Sequence, residues 1–282
     1  MLGIIGGSGF EKFDGFEVIG ELSVDTPFGK SSSGFKKVKI EGVECLFLSR
    51  HGSNHELLPS EINFRANVYN FKKHGAKAVV SFSAVGSLAK EFKPGDMVVP
   101  TQYIDRTKGL RNHTFLGEGL VGHVSLAKPI CHSMLEFAIE KSKVKDWDSH
   151  FKKTYVCIEG PYFSTVAESK WFCSMGADII GMTHFPEFAL MREAGLSYLP
   201  CCFITDYDCW DESIEHVTLQ EVIKVMRGNN SKAFSLAKDL VVLGSKLWEN
   251  SNSANEGLKT GLMTPKELRP KKSQEWLNTI LN

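Results

Sequence analysis

Ser197-Tyr198-Leu199-Pro200-Cys201-Cys202-Phe203-Ile204-Thr205 is a long β-rich run that stops at Asp206-Tyr207-Asp208. It lacks the polar–apolar alternation of a strand with one wet face, so it predicts a strand inside a buried sheet. Just before it, residues 186–194 read as a helix closed by Gly195. Upstream the alternation continues: a short strand at 178–181, a helix at 165–175 stopped by Gly176, a strand at 154–158 and a helix at 126–143. Before these come a strand at 97–100, a β-rich run at 76–83 closing at Ala84-Val85-Gly86-Ser87, and a helix opened by Pro59-Ser60-Glu61 and reaching about His74. The first fifty residues hold extended stretches near 17–24, 35–40 and 45–49, and the run Leu2-Gly3-Ile4-Ile5 entering the turn Gly6-Gly7-Ser8-Gly9. Downstream, 217–247 is helical with a kink expected at Gly228, 250–256 is a polar break, and the tail holds one more helical stretch. Alternating strands and helices predict an α/β fold, a three-layer sandwich with helices on both faces. The early cluster of strands makes its central sheet mixed. With no repeat, linker or composition shift, residues 1–282 read as one domain, with 250–282 as a C-terminal extension.

Charge excludes several partners. Lysine plus arginine (33) cancels aspartate plus glutamate (33), which removes the basic field expected of nucleic-acid binders and polybasic membrane-surface proteins. No apolar run approaches the ~20 residues of a membrane span, and no charged n-region precedes an apolar stretch, so no signal peptide is predicted. Seven cysteines without a C-x-x-C pair argue against a zinc ribbon and for reduced, mostly buried thiols, hence a cytoplasmic protein.

Familiar ligand motifs fail on spacing. A dinucleotide glycine pattern counted from Gly7 meets Lys12 where glycine is required, and Gly29-Lys30-Ser31 lacks its partner glycine at Val24. His55-Glu56 has no second histidine for zinc. No metal site is predicted. What recurs is strands ending in small or polar residues: Gly6–Gly9, Arg50-His51, Ser83-Ala84, Thr183 and Asp206/Asp208. Ligands of open α/β sheets bind beyond such strand ends. Gly6-Gly7-Ser8-Gly9 can turn successive N–H groups toward an anion, since glycine tolerates positive φ. Arg50 adds a planar fork of donors and His51 another. The alternative is a plain tight turn beside an arginine paired to a surface carboxylate. If the strand continues through Asp208, Asp206 and Asp208 share one face. A carboxyl withdrawn from water there can hold a proton near neutrality and act as a general acid; two solvated loop carboxylates are the alternative, and a metal-binding Asp-x-Asp pair of a glycosyltransferase is a further one.

Taken together, Gly3–Gly9, Asp25–Lys30, Arg50-His51-Gly52, Ile104–Thr107, Gly122-His123-Val124, Ile158–Pro161, Met182-Thr183, Pro186-Glu187 and Thr205–Trp210 resemble the methylthioadenosine phosphorylase branch of the purine nucleoside phosphorylases, in the family's order. The resemblance implies phosphorolysis of S-methyl-5′-thioadenosine to adenine and 5-methylthioribose 1-phosphate, without metal or organic cofactor; inorganic phosphate is a co-substrate. It implies a phosphate pocket of Ser8, Arg50, His51, Ser83, Ala84 and Thr183. It places Met182 at the ribose, Phe163 and Ser164 at the sugar face and base, Asp206 as proton or hydrogen-bond donor to the purine N7, and Asp208 as acceptor from the 6-amino group. Leu219 and Val222, with His123 of a neighbouring subunit, would form the 5′ pocket, so a homotrimer, or a hexamer built from it, is implied. Gly181 stands where many adenine-specific members carry asparagine, Tyr162 where arginine is common, and Ser83 where threonine is frequent. Methylthioinosine or ordinary purine nucleosides therefore stay open as substrates, and a non-catalytic nucleoside-binding protein is a third reading.

Overall fold

The computed structural model describes residues 1–7, 16–211, 213, 219–249 and 256–282, without the side chains at 219–224, 227 and 245. At its centre β1 (Leu2–Gly6), buried at every position, lies between β6 (Val43–Ser49) and β7 (Ala78–Ser87) and runs parallel to both. Beyond β6 the sheet continues through β5 (Lys36–Ile40) to the edge strand β2 (Glu17–Glu21), both in antiparallel pairings. Two two-residue strands, β3 (Asp25–Thr26) and β4 (Gly29–Lys30), form a separate hairpin.

On the other side of β7 comes β11 (Ser197–Asp206), then β8 (Met97–Arg106), β9 (Ser149–Ile158) and β10 (Ile179–Gly181). β10 pairs in parallel with β9 and also antiparallel with β7, at Ser87 and Gly86. Strands β7, β11, β8, β9 and β10 thereby close into a ring. The nine-stranded sheet is mixed, as the early strands predict, and its closed half holds Val85, Val98, Tyr155, Cys157, Cys202 and Ile204 as an interior cluster. Closure also explains why β7, β8 and β9 are longer than their sequence patterns suggest. Ring neighbours supply backbone partners through Ala84–Ser87, up to Arg106 and back to Ser149, so the polar residues there do not end the strands.

Helices α1 (Phe64–Lys73), α2 (His132–Val144), α3 (Val166–Ser174), α4 (His184–Glu193) and α5 (Leu219–Leu243) cover the sheet. Two start later than expected. α1 begins after Asn63, not at Pro59, because the Asn63 side chain accepts the Ala66 N–H and caps the helix there. α2 begins at His132 and not near 126, since Pro129 disfavours helix in the residue before it. α3 starts on a capping box between Thr165 and Glu168, and Gly176 and Gly195 follow α3 and α4 at positive φ, as their places in the sequence predict. Gly228 lies inside an unbroken α5. Near the C-terminus, Leu258–Gly261 and Gln274–Leu281 are helical; the latter packs on α1, and Trp276 lies against Phe28. No helix among the described residues is long and apolar enough to cross a membrane.

Candidate active site

The end of β1 brings backbone unusually close to β7. A Cβ on Gly7 would lie 2.4 Å from the Phe82 carbonyl oxygen, 3.1 Å from Arg50 Nη1 and 3.2 Å from Ser83 Cα. Glycine is needed at 7 for space. Gly6 and Gly7 are not among the positive-φ residues. Ser8 and Gly9 lie outside the described residues.

Arg50 follows β6 and is fully buried. Its Nε–H and one Nη2–H donate to the two Glu187 carboxylate oxygens at 2.7 and 2.9 Å, and Nη1 donates to the Phe82 carbonyl at 2.9 Å. Among the described residues three of its five side-chain N–H groups have partners, one on each nitrogen. Burial opposes the charge, but adjacent Glu187 outweighs it and holds the guanidinium above its usual range. The arginine is paired, as the alternative reading of the sequence has it, but to a carboxylate that is itself buried, not a surface one. Tyr198 donates to the same Glu187 at 2.7 Å and lies 2.6 Å from Ser81 Oγ. The geometry fixes a planar cation beside Gly7.

His51 Nδ1 lies 2.9 Å from the Leu57 carbonyl oxygen and so carries the proton there. Donation from Nε2 as well therefore requires the imidazolium. Ser83 and Ala84 lie within β7 and not at its end. With Gly7, Phe203, Thr205 and Asn229 of α5 they line a small open pocket. Thr183 precedes α4 without using its side chain as a cap, and its N–H reaches the Tyr155 hydroxyl at 3.5 Å.

The carboxylates sit one strand over. Asp206 ends β11 and accepts from Thr205 Oγ1 at 2.7 Å and from the Asp208 N–H at 2.9 Å. That second bond closes a turn in which Asp208 has φ +49°. The two residues therefore do not share a strand face; the strand stops where the Asp206 side chain captures the backbone. Gly86 makes room, since a Cβ there would lie 3.0 Å from Asp206 Oδ1 and 3.5 Å from Asp208 Cβ. Burial pushes the Asp208 carboxyl above its usual pKa, with Ser169 Oγ donating at 2.5 Å against that trend and the neighbouring Asp206 adding to it. Ser164 is close by; among the described residues its buried Oγ closes no hydrogen bond of normal geometry, while its carbonyl accepts from Cys209.

On the remaining wall, Met182 packs its sulfur over Gly160, where a Cβ would stand 2.6 Å away. A second buried pair holds this corner. Arg111 Nε donates to Glu159 at 2.7 Å, Nη1 to the Met182 and Phe185 carbonyls, and Nη2 to the Glu159 carbonyl at 2.9 Å. Phe163 is 79% exposed. Exposed His123 donates its backbone N–H to the Gly261 carbonyl at 2.9 Å and lines a different pocket, together with Arg192, Glu256 and Thr260. Leu219 and Val222 fall on the first turns of α5, and their side chains lie outside the described set. Sequence reading misses Tyr198, His184, Ser169 and Arg111, and it quotes Glu187 in a family motif without giving it a role. For Glu187 a signal exists: one carboxylate at the start of the otherwise apolar Phe185-Pro186-Glu187-Phe188-Ala189-Leu190-Met191.

Residues 1–242 match the family model described as the phosphorylase superfamily, and the chain belongs to that family. Among its relatives it is similar to S-methyl-5′-thioadenosine phosphorylases. That of Geobacter sulfurreducens is 38% identical over 281 residues, covering all of this chain and 98% of the relative. That of Synechocystis is 42% identical, covering 99% and 86%. The fold is similar to a crystal structure of methylthioadenosine phosphorylase from an Antarctic soil metagenomic library, with TM-score 0.90 and 39% identity over 100% of this chain and 98% of that one. It is also similar to the Schistosoma mansoni methylthioadenosine phosphorylase in complex with adenine, with TM-score 0.84 and 35% identity over 90% and 94%.

Proposed function

We propose that this chain catalyses phosphorolysis of S-methyl-5′-thioadenosine, yielding adenine and 5-methylthioribose 1-phosphate. One observation carries the reading: a buried arginine, held on Glu187, lies beside Gly7 at the pocket lined by Ser83, while two carboxylates at the end of the neighbouring strand β11 stand against Gly86 of the same β7. A fixed cation suits the dianionic nucleophile, and the carboxylates suit a purine leaving group. Relatives near 40% identity over the whole chain bear the matching name.

In this mechanism the C1′–N9 bond lengthens first, building positive charge on the sugar and negative charge on the purine. Phosphate, bound by Arg50, Ser83, Thr183 and the N–H groups around Ser8 and Ala84, with His51 beside it, stabilises the sugar cation electrostatically and then forms the O–C1′ bond. Asp206 delivers a proton or hydrogen bond to N7, taking up the electron pair released at N9. Asp208 accepts from the 6-amino group, Ser164 and Phe163 bracket base and sugar, and Met182 reaches a ribose hydroxyl through its N–H. Leu219, Val222 and the partner subunit's His123 enclose the 5′ thioether, which makes the active form a homotrimer, in the cytoplasm and without added cofactor. Catalysis on this account is positioning and preorganised charge.

Gly181 favours testing a second substrate. A Cβ there would meet the Tyr155 hydroxyl at 2.1 Å, so no larger side chain reaches the base from this position. The deciding assay is phosphate-dependent base release from methylthioadenosine, methylthioinosine and adenosine side by side. Methylthioadenosine should give the highest kcat/KM. A preference for methylthioinosine would replace the substrate assignment, and no phosphate-dependent release from any of them would remove the reaction.

A further inference from the structure

His184 is fully buried, and its ring lies flat on that of Tyr155, with centroids 4.2 Å apart and planes 6° apart. The stack fixes the imidazole plane, and in that plane Nε2 lies 2.9 Å from Ser83 Oγ. Nδ1 has no hydrogen-bond partner among the described residues. Burial, and then the Arg50 charge, hold the ring far below its usual pKa, so it is neutral and carries one proton. The proton belongs on Nε2: a buried N–H left without an acceptor costs more than a bare lone pair, and only Nε2 has a partner. Nε2–H then donates to Ser83 Oγ, and the hydroxyl proton of Ser83 must point elsewhere. Among the described residues its acceptor is Cys202 Sγ at 3.4 Å, a weak one.

We propose that His184 is a positioning residue for the anion pocket: by donating to Ser83 Oγ it turns the Ser83 O–H into a donor reserved for bound phosphate. With the opposite tautomer that hydroxyl would be spent on Nε2, and without His184 the Ser83 oxygen loses the donor that orients it. An incoming phosphate oxygen needs only a rotation about Cβ–Oγ to exchange the sulfur for a charged acceptor, and hydrogen bonds to charged groups are the stronger kind. The same geometry accounts for Gly181. Its missing side chain is what lets the Tyr155 hydroxyl come within 2.1 Å of where a Cβ would be, and Tyr155 is the surface on which His184 is laid. Gly181, Tyr155, His184 and Ser83 form one unit, joining strands β10, β9 and β7 through the start of α4.

The inference rests on Ser83 contacting phosphate, and the experiment separates the two. His184→Phe keeps the stack on Tyr155 and removes the donor; His184→Gln loses the ring and keeps an N–H at the same reach. KM for phosphate, KM for nucleoside and melting temperature are measured for both, for Ser83→Ala and for Ser83→Ala/His184→Phe. His184→Phe should raise the phosphate KM about ten- to a hundredfold, the worth of one hydrogen bond to a charged group, with nucleoside KM within about twofold. His184→Gln should stay near wild type despite any loss of melting temperature, and the double variant should be no worse than Ser83→Ala. If the ring matters only for packing, the order reverses, with Phe tolerated and Gln damaged, and the inference is overturned. Additive effects in the double variant overturn it too. A Ser83→Ala variant with unchanged phosphate KM removes the underlying contact, and the inference with it. Should His184→Phe not accumulate, His184→Gln decides alone: a phosphate KM near wild type supports the role, and a rise of tenfold or more refutes it.

Discussion

Glu187→Gln changes one atom and removes the only carboxylate hydrogen-bonded to the Arg50 guanidinium among the described residues. Three donors converge on Glu187: Arg50 Nε at 2.7 Å on one oxygen, Arg50 Nη2 at 2.9 Å and Tyr198 Oη at 2.7 Å on the other. A glutamine oxygen placed at the second position satisfies two of them and turns its NH₂ against Arg50 Nε–H. Both partners are essentially solvent-free, so surface screening does not soften the loss. Stranding one member of a buried pair costs about 3–5 kcal/mol, a large share of the ~5–15 kcal/mol that typically separates folded from unfolded. At ~2–4 °C per kcal/mol the melting temperature should fall by roughly 6–20 °C. Saturating phosphate should recover part of that, because it supplies the missing negative charge. Thermal and urea unfolding with and without phosphate read both effects. Replacing the pair together, Arg50→Met with Glu187→Leu, should cost much less stability and abolish phosphorolysis, since buried pairs exchange for apolar residues with little loss. A Glu187→Gln protein within about 1 kcal/mol of wild type in phosphate-free buffer would refute the counter-charge role.

Asp208→Asn should raise kcat/KM on 6-oxo purine nucleosides relative to 6-amino ones, by an amount equivalent to ~1–3 kcal/mol; an unchanged ratio removes Asp208 from base recognition. The same variant has a pH signature. Because the folded pKa of Asp208 is raised, its ionisation favours the unfolded chain, so stability falls as pH rises from about 4 through the raised value. An asparagine at this position does not ionise and has no such loss, so the variant's stability relative to wild type should grow across that window; a pH-independent difference contradicts the burial argument. Gly181→Ala forces Tyr155 to move and should lose ~1–3 kcal/mol of stability, which Tyr155→Phe should partly restore; a neutral Gly181→Ala in a melting assay excludes the close approach. Mixing inactive His123→Ala with inactive Asp206→Asn should regenerate activity after subunit exchange, and a mixture as inactive as its parts counts against a shared site.

Arg50, Ser83, Thr183 and Asp206 are legible in the sequence because each follows or lies in a β-rich run ending in polar residues, a local pattern. The supporting residues are not. Arg50 and Glu187 are 137 residues apart and Ser83 and His184 are 101 apart, and they meet only because β10 closes the ring of strands and carries α4 across it. A three-residue strand such as Ile179–Gly181 has too little sequence to announce two neighbours. The Asp206–Asp208 geometry escapes sequence reading for a different reason. Extending the strand by two residues is natural for an apolar run, but an aspartate at its end competes for the next backbone N–H and turns the chain.

Ring closure also bears on how copies of the chain can meet. β10, which would otherwise end the sheet, is paired on both sides, so among the described residues the nine-stranded sheet has a single open edge, at β2. That edge is short and carries Glu17 and Glu21, with Lys36 paired to Glu21 from the adjoining strand, the charged character that discourages strand addition. Self-association through continued β-sheet is thereby disfavoured at both ends of the molecule, and oligomers must be built from loops and helix faces. Subunit recognition can then change by loop substitution without disturbing the strands that position Arg50 and Asp206.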